Sequence, residues 1–207
     1  MIGLYGVALE QLNNRQEELL SSLPHSVLNA WQKRHATLRD PLASLAGVWL
    51  LWKSGIGGTL DYTDSGKPVL IAEDGRTLGV SITHTATHAF CAVTDESDAI
   101  GVDAEDLGRL APDRLPKMAA RWFSDAERSA FEQTPTEETF LKLWTRKEAL
   151  VKRSGIGLSA LAKADTLTPS PTLPHFLSFA LPTTILTLAL PQKCEDSPVS
   201  LQMLLRE

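Results

Sequence analysis

The stretch W-T-R-K-E-A-L-V-K-R-S-G-I-G-L, Trp144 to Leu158, constrains this chain more than any other part of it. It sets one carboxylate, Glu148, among the cations Arg146, Lys147, Lys152 and Arg153. Wound as a helix, it brings Trp144, Glu148 and Lys152 onto one face. A carboxylate beside lysines on one helix face suits a metal ion and a polyphosphate held at the same place. Thr134-Pro135-Thr136-Glu137 reads as a capping box with proline at the first helical position, so the helix should start there. Gly155 should end it as a left-handed cap.

A second acidic motif, G-V-D-A-E at Gly101 to Glu105, offers further ligands. In an extended strand over Ala99 to Ala104, Ile100, Val102 and Ala104 point to one face. Gly101, Asp103 and Glu105 point to the other. Asp103 and Glu105 then project together, roughly 6.5–7 Å apart along the strand. Mg²⁺ is commonly held by a few carboxylates, phosphate oxygens and water. A lone D-x-E is more often a pair of solvated acids; only Glu148 raises its weight.

The bulk numbers fit an ordinary globular chain. It has 207 residues, 43% hydrophobic and 22% charged, enough for one sizeable domain or two small ones. A net charge of -5 argues against general nucleic-acid binding. Cys91 and Cys194 make neither a disulfide framework nor a zinc pattern, which suits a reducing cytoplasm. The first residues lack the basic and long apolar regions of a signal peptide. Neither Leu42 to Trp52 nor Phe176 to Leu190 reads as a membrane span.

Elsewhere the pattern is mixed, α+β. Strands are expected over Ile2 to Leu9, Val69 to Ile71, Val80 to Thr83 and Ala89 to Val93. A polar, helix-leaning stretch covers Leu12 to Leu20. A helical region should run from Val27 to Trp52, interrupted at Pro41. Ser124-Asp125-Ala126-Glu127 is another capping box. The tail from Thr166 reads as strands joined by turns.

Three further groups carry polar chemistry. S-I-T-H-T, Ser81 to Thr85, ends a strand with hydroxyls and an imidazole that can bind phosphate. Gly66-Lys67-Pro68 is a turn presenting a lysine. Lys33, Arg34, His35 and Arg39 form a basic cluster for a phosphate or an acidic partner. Taken singly, each is as well or better explained as a solvated or structural group.

In order and spacing, G-K-P at 66–68, S-I-T-H-T at 81–85, G-V-D-A-E at 101–105, W-F-S-D-A-E at 122–127 and the motif at 144–158 together resemble the phosphopantetheinyl transferases. The likeness is to their long, single-chain, surfactin-synthetase-activating type, and it runs from about Arg34 to Ser159. The resemblance implies two similar α/β halves related by a pseudo-two-fold. Each half would pack a small, mostly antiparallel sheet on a long helix. It divides the chain into 1–103 and 104–207, with coenzyme A and Mg²⁺ in the cleft between, and suggests a monomer.

The implied reaction moves the 4′-phosphopantetheine arm of coenzyme A onto a serine of an apo acyl or peptidyl carrier protein, releasing 3′,5′-ADP. Asp103, Glu105 and Glu148 match the Mg²⁺ ligands, with Mn²⁺ as an alternative ion. Lys147 and Lys152 match pyrophosphate-binding positions. Thr83 and His84 match the 3′-phosphate end, and Lys67 and Pro68 the nucleotide. Glu148 is the expected base and Lys152 the partner of the leaving oxygen; Glu127 matches a further acidic position. Leu28, Trp31 and Ala43 stand where the family often has basic residues, which shifts the phosphate load to Arg34 or Arg39. The acidic carrier is expected near Trp122 and Phe123, with Arg121 and Arg128. Two other readings use the same residues: a Mg²⁺-dependent hydrolase of coenzyme A or a related diphosphate, and a non-catalytic coenzyme A- or carrier-binding module.

Overall fold

A computed structural model describes residues 2–35, 41–95, 100–155, 164–192 and 198–204. The chain divides into two compact units, Met1–Ile100 with Ser197–Glu207, and Gly101–Asp196. The C-terminal segment therefore counts with the first unit.

The first unit contains a six-stranded sheet. Its strands are β1 (Ile2–Ala8), β2 (Gly58–Tyr62), β3 (Pro68–Ala72), β4 (Thr77–His84), β5 (His88–Thr94) and β9 (Leu201–Met203). They lie in the order β2-β3-β4-β5-β1-β9. All pairings are antiparallel except β9, which runs parallel to β1. Helices α1 (Gln16–Ser22), α2 (His25–His35) and α3 (Leu42–Lys53) complete the unit. Every residue from Ser44 to Leu51 is buried, as expected for a helix that is apolar almost all round. Gly47 lets α3 approach the sheet, since a Cβ there would collide with Ile82. The Ser44 hydroxyl in that run is satisfied: Trp31 Nε1 donates to Ser44 Oγ at 3.0 Å. Cys91 is buried and its thiol is pushed well up by desolvation. Cys194 lies outside the described residues.

The second unit has the three-stranded sheet β6-β8-β7, antiparallel throughout. Its strands are β6 (Gly101–Asp106), β7 (His175–Ala180) and β8 (Thr184–Leu190). Helices α4 (Leu115–Trp122), α5 (Asp125–Gln133) and α6 (Glu137–Ser154) accompany it. An aromatic cluster joins them: Phe123 stacks on Phe140 at 4.9 Å, and Phe131 meets Phe140 edge-on at 6.0 Å. Each unit is thus a mostly antiparallel sheet with a long helix, although the sheets differ in size.

Both ends of α6 follow from side-chain chemistry. Gly155 adopts the expected left-handed cap, φ 70°, which costs glycine little. The start is corrected by two residues. Thr136, not Thr134, is the N-cap; it accepts from Thr139 N–H at 3.1 Å. Pro135 therefore precedes the helix. Glu137, the first helical residue, accepts from the N–H groups of Gly108, Arg109 and Leu110 at 2.8, 2.9 and 2.8 Å. Burial raises its carboxyl, but the three donors outweigh that and hold it below the usual range. The β6–α4 loop is so tied to the head of α6.

Candidate active site

β6 lies directly against α6, and Gly101 is the reason. A Cβ at this position would strike the Ala149 carbonyl and come within 2.6 Å of Arg153 N. The close approach carries Asp103, two residues on, to α6, where Lys152 Nζ donates to Asp103 Oδ1 at 2.7 Å. Asp103 is only 5% exposed. The expected alternation holds: Gly101 and Asp103 face the helix, and Val102 and Ala104 are buried on the opposite face.

Glu105 and Glu148 are half-buried in the same patch. Desolvation, then the neighbouring Asp103 charge, pushes Glu148 up to about 7; Lys152 opposes this and Glu105 adds to it. Glu105 is raised by desolvation and by Asp103, while a hydrogen bond from Trp144 and the Lys152 charge lower it. Trp144, Glu148 and Lys152 therefore share the face that β6 meets, as their spacing predicts.

Lys147, one residue from Glu148, points elsewhere. It is fully buried, and its Nζ donates to Glu127 Oε2 at 2.7 Å and to the Ala164 carbonyl. Glu127 is also fully buried. It accepts from Ser124 N–H at 2.9 Å, Thr166 N–H at 3.0 Å and Thr166 Oγ1 at 2.7 Å. Ser124 completes the capping box by accepting from Glu127 N–H. Arg146 joins the same segment, donating to the Thr166 carbonyl at 2.7 Å and lying 4.5 Å over Phe176. The resemblance made Lys147 a pyrophosphate contact. The structure instead makes it the buried counter-ion of Glu127, because a helix step of 100° turns it from the Glu148 face into the interior. No signal local to Trp144–Leu158 reveals this, since its partners lie twenty and seventeen residues away.

The remaining candidates sit in the first unit. Thr83 is buried and His84 exposed at the end of β4. Lys67 and Pro68 are half-buried at the β2–β3 turn. Arg34 lies over that turn, where a Cβ on Gly66 would meet its guanidinium, and Gly66 has φ 84°. Arg39 lies outside the described residues. Of the expected docking residues, Phe123 is in the aromatic core and only 6% exposed. Arg128 is engaged by Asp125 at 2.7 Å. Trp122 is half-buried beneath Arg121, at 4.8 Å, and meets Trp144 edge-on at 6.1 Å.

Among the described residues, no three His, Cys, Asp or Glu side chains converge as a preformed metal cluster. The donor set of Asp103, Glu105 and Glu148 still has the character of a hard-cation site. Its carboxylates are oxygen donors, and Glu105 and Glu148 are raised by desolvation first and then by the Asp103 charge, a repulsion that a divalent cation would relieve. No described helix is long and apolar enough to cross a membrane.

Comparison with known proteins agrees with this geometry. Residues 99–185 match the sequence model of the 4′-phosphopantetheinyl transferase superfamily. Over 207 aligned positions the chain is 30% identical to the 4′-phosphopantetheinyl transferase HetI of Nostoc sp. strain PCC 7120, covering 93% of this chain and 84% of that protein. It is 31% identical over 129 positions to a 4′-phosphopantetheinyl transferase of Bacillus subtilis, covering 60% and 54%. It is 30% identical over 112 positions to AcpT of Salmonella typhimurium, covering 53% and 56%. The chain belongs to the 4′-phosphopantetheinyl transferase superfamily.

Proposed function

We propose that this enzyme transfers the 4′-phosphopantetheine arm of coenzyme A to a serine of an acyl or peptidyl carrier protein. One observation supports the reading above the rest: Glu148, raised to about 7, shares a half-buried patch with the Asp103–Lys152 pair. Without a divalent cation beside it, a carboxylate with that pKa is matched to proton transfer near neutral pH. A cation beside it is matched to a departing phosphate.

In the proposed reaction the serine oxygen attacks the phosphorus carried by the pantetheine arm. The bond from that phosphorus to the bridging oxygen breaks, and 3′,5′-ADP leaves. Glu148 accepts the serine proton. Lys152 neutralises or protonates the leaving oxygen, and Asp103 holds its ammonium in position. Asp103, Glu105 and Glu148 would hold a divalent cation, Mg²⁺ or Mn²⁺. When bound, that ion supplies charge neutralisation at the diphosphate. We assign the nucleotide end of coenzyme A to Lys67, Pro68, Thr83, His84 and Arg34, and the reaction to the cytoplasm.

The carrier is assigned to the exposed side of α4. Lys117 and Arg121 are exposed along it and Arg114 is exposed just before it, with no acidic residue in the helix. On a chain of net charge -5 such a stripe favours an acidic partner. Charge reversal at Lys117 and Arg121 should raise the KM for carrier at least tenfold and leave the KM for coenzyme A unchanged. An unchanged carrier KM would remove this surface.

The reaction itself is tested by measuring 3′,5′-ADP with and without apo carrier. Release only with carrier, one nucleotide per carrier modified, is expected. Equal release without carrier would replace the transferase by a hydrolase.

A further inference from the structure

Helix α6 and strand β8 share a buried polar contact that the proposed reaction does not use. Thr145 and Thr187 are both 0% exposed, and their hydroxyls meet at 2.8 Å. Thr145 Oγ1 donates to the Leu141 carbonyl at 2.9 Å. Ser178 Oγ, at an exposed position of β7, lies 3.1 Å from Thr187 Oγ1. Each hydroxyl has one proton to donate. With that of Thr145 directed to Leu141, Thr187 donates to Thr145 and Ser178 donates to Thr187. The row of hydroxyls thus runs in one direction, from the surface of β7 to the backbone of α6.

Stability alone does not call for this arrangement. Threonine loses side-chain freedom in a helix, and bonding back to the carbonyl four residues earlier tends to bend it. Position gives the pair a reason. Thr187 is the cross-strand neighbour of Asp103, and both side chains lie on the face of the sheet that α6 covers. On α6, Thr145 and Lys152 stand about two turns apart along the axis and within about 20° of each other around it. The helix is therefore pinned along one line at two points, Thr145 to Thr187 and Lys152 to Asp103. Glu148 and Ala149 lie between the pins. At Ala149 the helix makes its close approach to Gly101. Packing of such small groups sets the distance between helix and strand but not the rotation of the helix about its axis. Hydrogen bonds are directional, and these two set the rotation.

We propose that Thr187, acting through Thr145, is a positioning residue for the transfer: it fixes the rotation of α6 and with it the place of Glu148 beside Asp103. The inference rests on the transferase reading above. Side-chain tips stand about 5–6 Å from a helix axis, so a rotation of about 10° moves the Glu148 carboxylate by about 1 Å. A displacement of that size costs about a hundredfold in rate where proton transfer depends on alignment. Thr187 touches no reacting group; its effect reaches the site only through the helix.

The test compares Thr187→Val, which keeps the shape and removes the donor, with Thr187→Ser, which keeps the donor and removes a buried methyl. Both should lower the melting temperature by about 2–4 °C. Only Thr187→Val should lose rate: its kcat for carrier modification should fall at least about tenfold, with the KM for coenzyme A within about twofold of the unmodified enzyme. Thr145→Val removes the same bond from the helix side and should lose kcat likewise, and the double variant should lose no more than the worse single one. Mn²⁺ titrated calorimetrically into metal-free Thr187→Val should bind about tenfold more weakly, a readout that needs no turnover. An unchanged kcat or Mn²⁺ affinity in Thr187→Val would overturn the inference while the transferase reading stands. So would an equal loss of kcat in Thr187→Ser, or additive losses in the double variant, since either would mark a merely structural role. Failure of the unmodified enzyme to modify any carrier would overturn the reading and the inference together.

Discussion

Lys147→Met puts a number on the buried pair between α5 and α6. The substitution keeps the length of the side chain and removes its charge. Glu127, 0% exposed, is then a carboxylate without a counter-ion. Breaking a buried pair by removing one partner costs about 3–5 kcal/mol. Ser124 N–H, Thr166 N–H and Thr166 Oγ1 still solvate the carboxylate, which places the expectation at the low end, about 3 kcal/mol. For a chain of this size that is roughly 6–12 °C in melting temperature. Removing both charges, in Glu127→Gln with Lys147→Met, leaves no stranded ion and should cost less than Lys147→Met alone, about 1–2 kcal/mol. Urea unfolding followed by tryptophan fluorescence measures both, since Trp122 and Trp144 lie in the same unit. Below its melting transition the Lys147→Met protein should keep its KM for coenzyme A. A loss under about 1 kcal/mol together with a large rise in that KM would refute the reasoning. Lys147 would then belong to the phosphate site, as the resemblance first suggested.

Two further predictions concern pH. Glu137 is held below the usual carboxylate range by three backbone donors. Its contribution to stability is present above the unfolded pKa and is lost as pH falls through the folded one. Glu137→Ala should cost about 2 kcal/mol at neutral pH, and that cost should shrink in acid-titrated unfolding curves. Glu148 has the opposite sign. Its folded pKa of about 7 lies above the unfolded value, so the folded state binds the proton more tightly. Metal-free protein should lose stability as pH rises from about 4.5 to 7. Glu148→Gln should flatten that slope, as thermal melts in chelator across this range would record; an unchanged slope would reject the assignment.

The sequence was most readable where a local rule decides the structure. The alternation Gly101, Asp103, Glu105 and the fourfold spacing of Trp144, Glu148 and Lys152 need only strand and helix periods. Ser124 and Gly155 need only cap chemistry. Long-range pairing was not readable. Nothing near Lys147 indicates that Glu127 and Ala164 will enclose it, and nothing in Leu201–Met203 indicates a parallel return to β1. Arg128 looks like an available cation until Asp125, three residues earlier, takes it. The start of α6 was ambiguous because Thr134 and Thr136 both have cap chemistry. Glu137 decides it by reaching the 108–110 loop. Helix α4 showed no cap of its own, and no side-chain cap bond forms at its start; its buried Leu115 and Ala119 join the aromatic core instead.

The most direct test of the central claim is the intact mass of an apo carrier protein after incubation with this enzyme, coenzyme A and Mg²⁺, beside a Glu148→Ala variant. The proposed chemistry predicts a gain of one phosphopantetheine arm with the unmodified enzyme and none with the variant. An unmodified carrier mass across acyl and peptidyl carriers, or a full gain with Glu148→Ala, would contradict it.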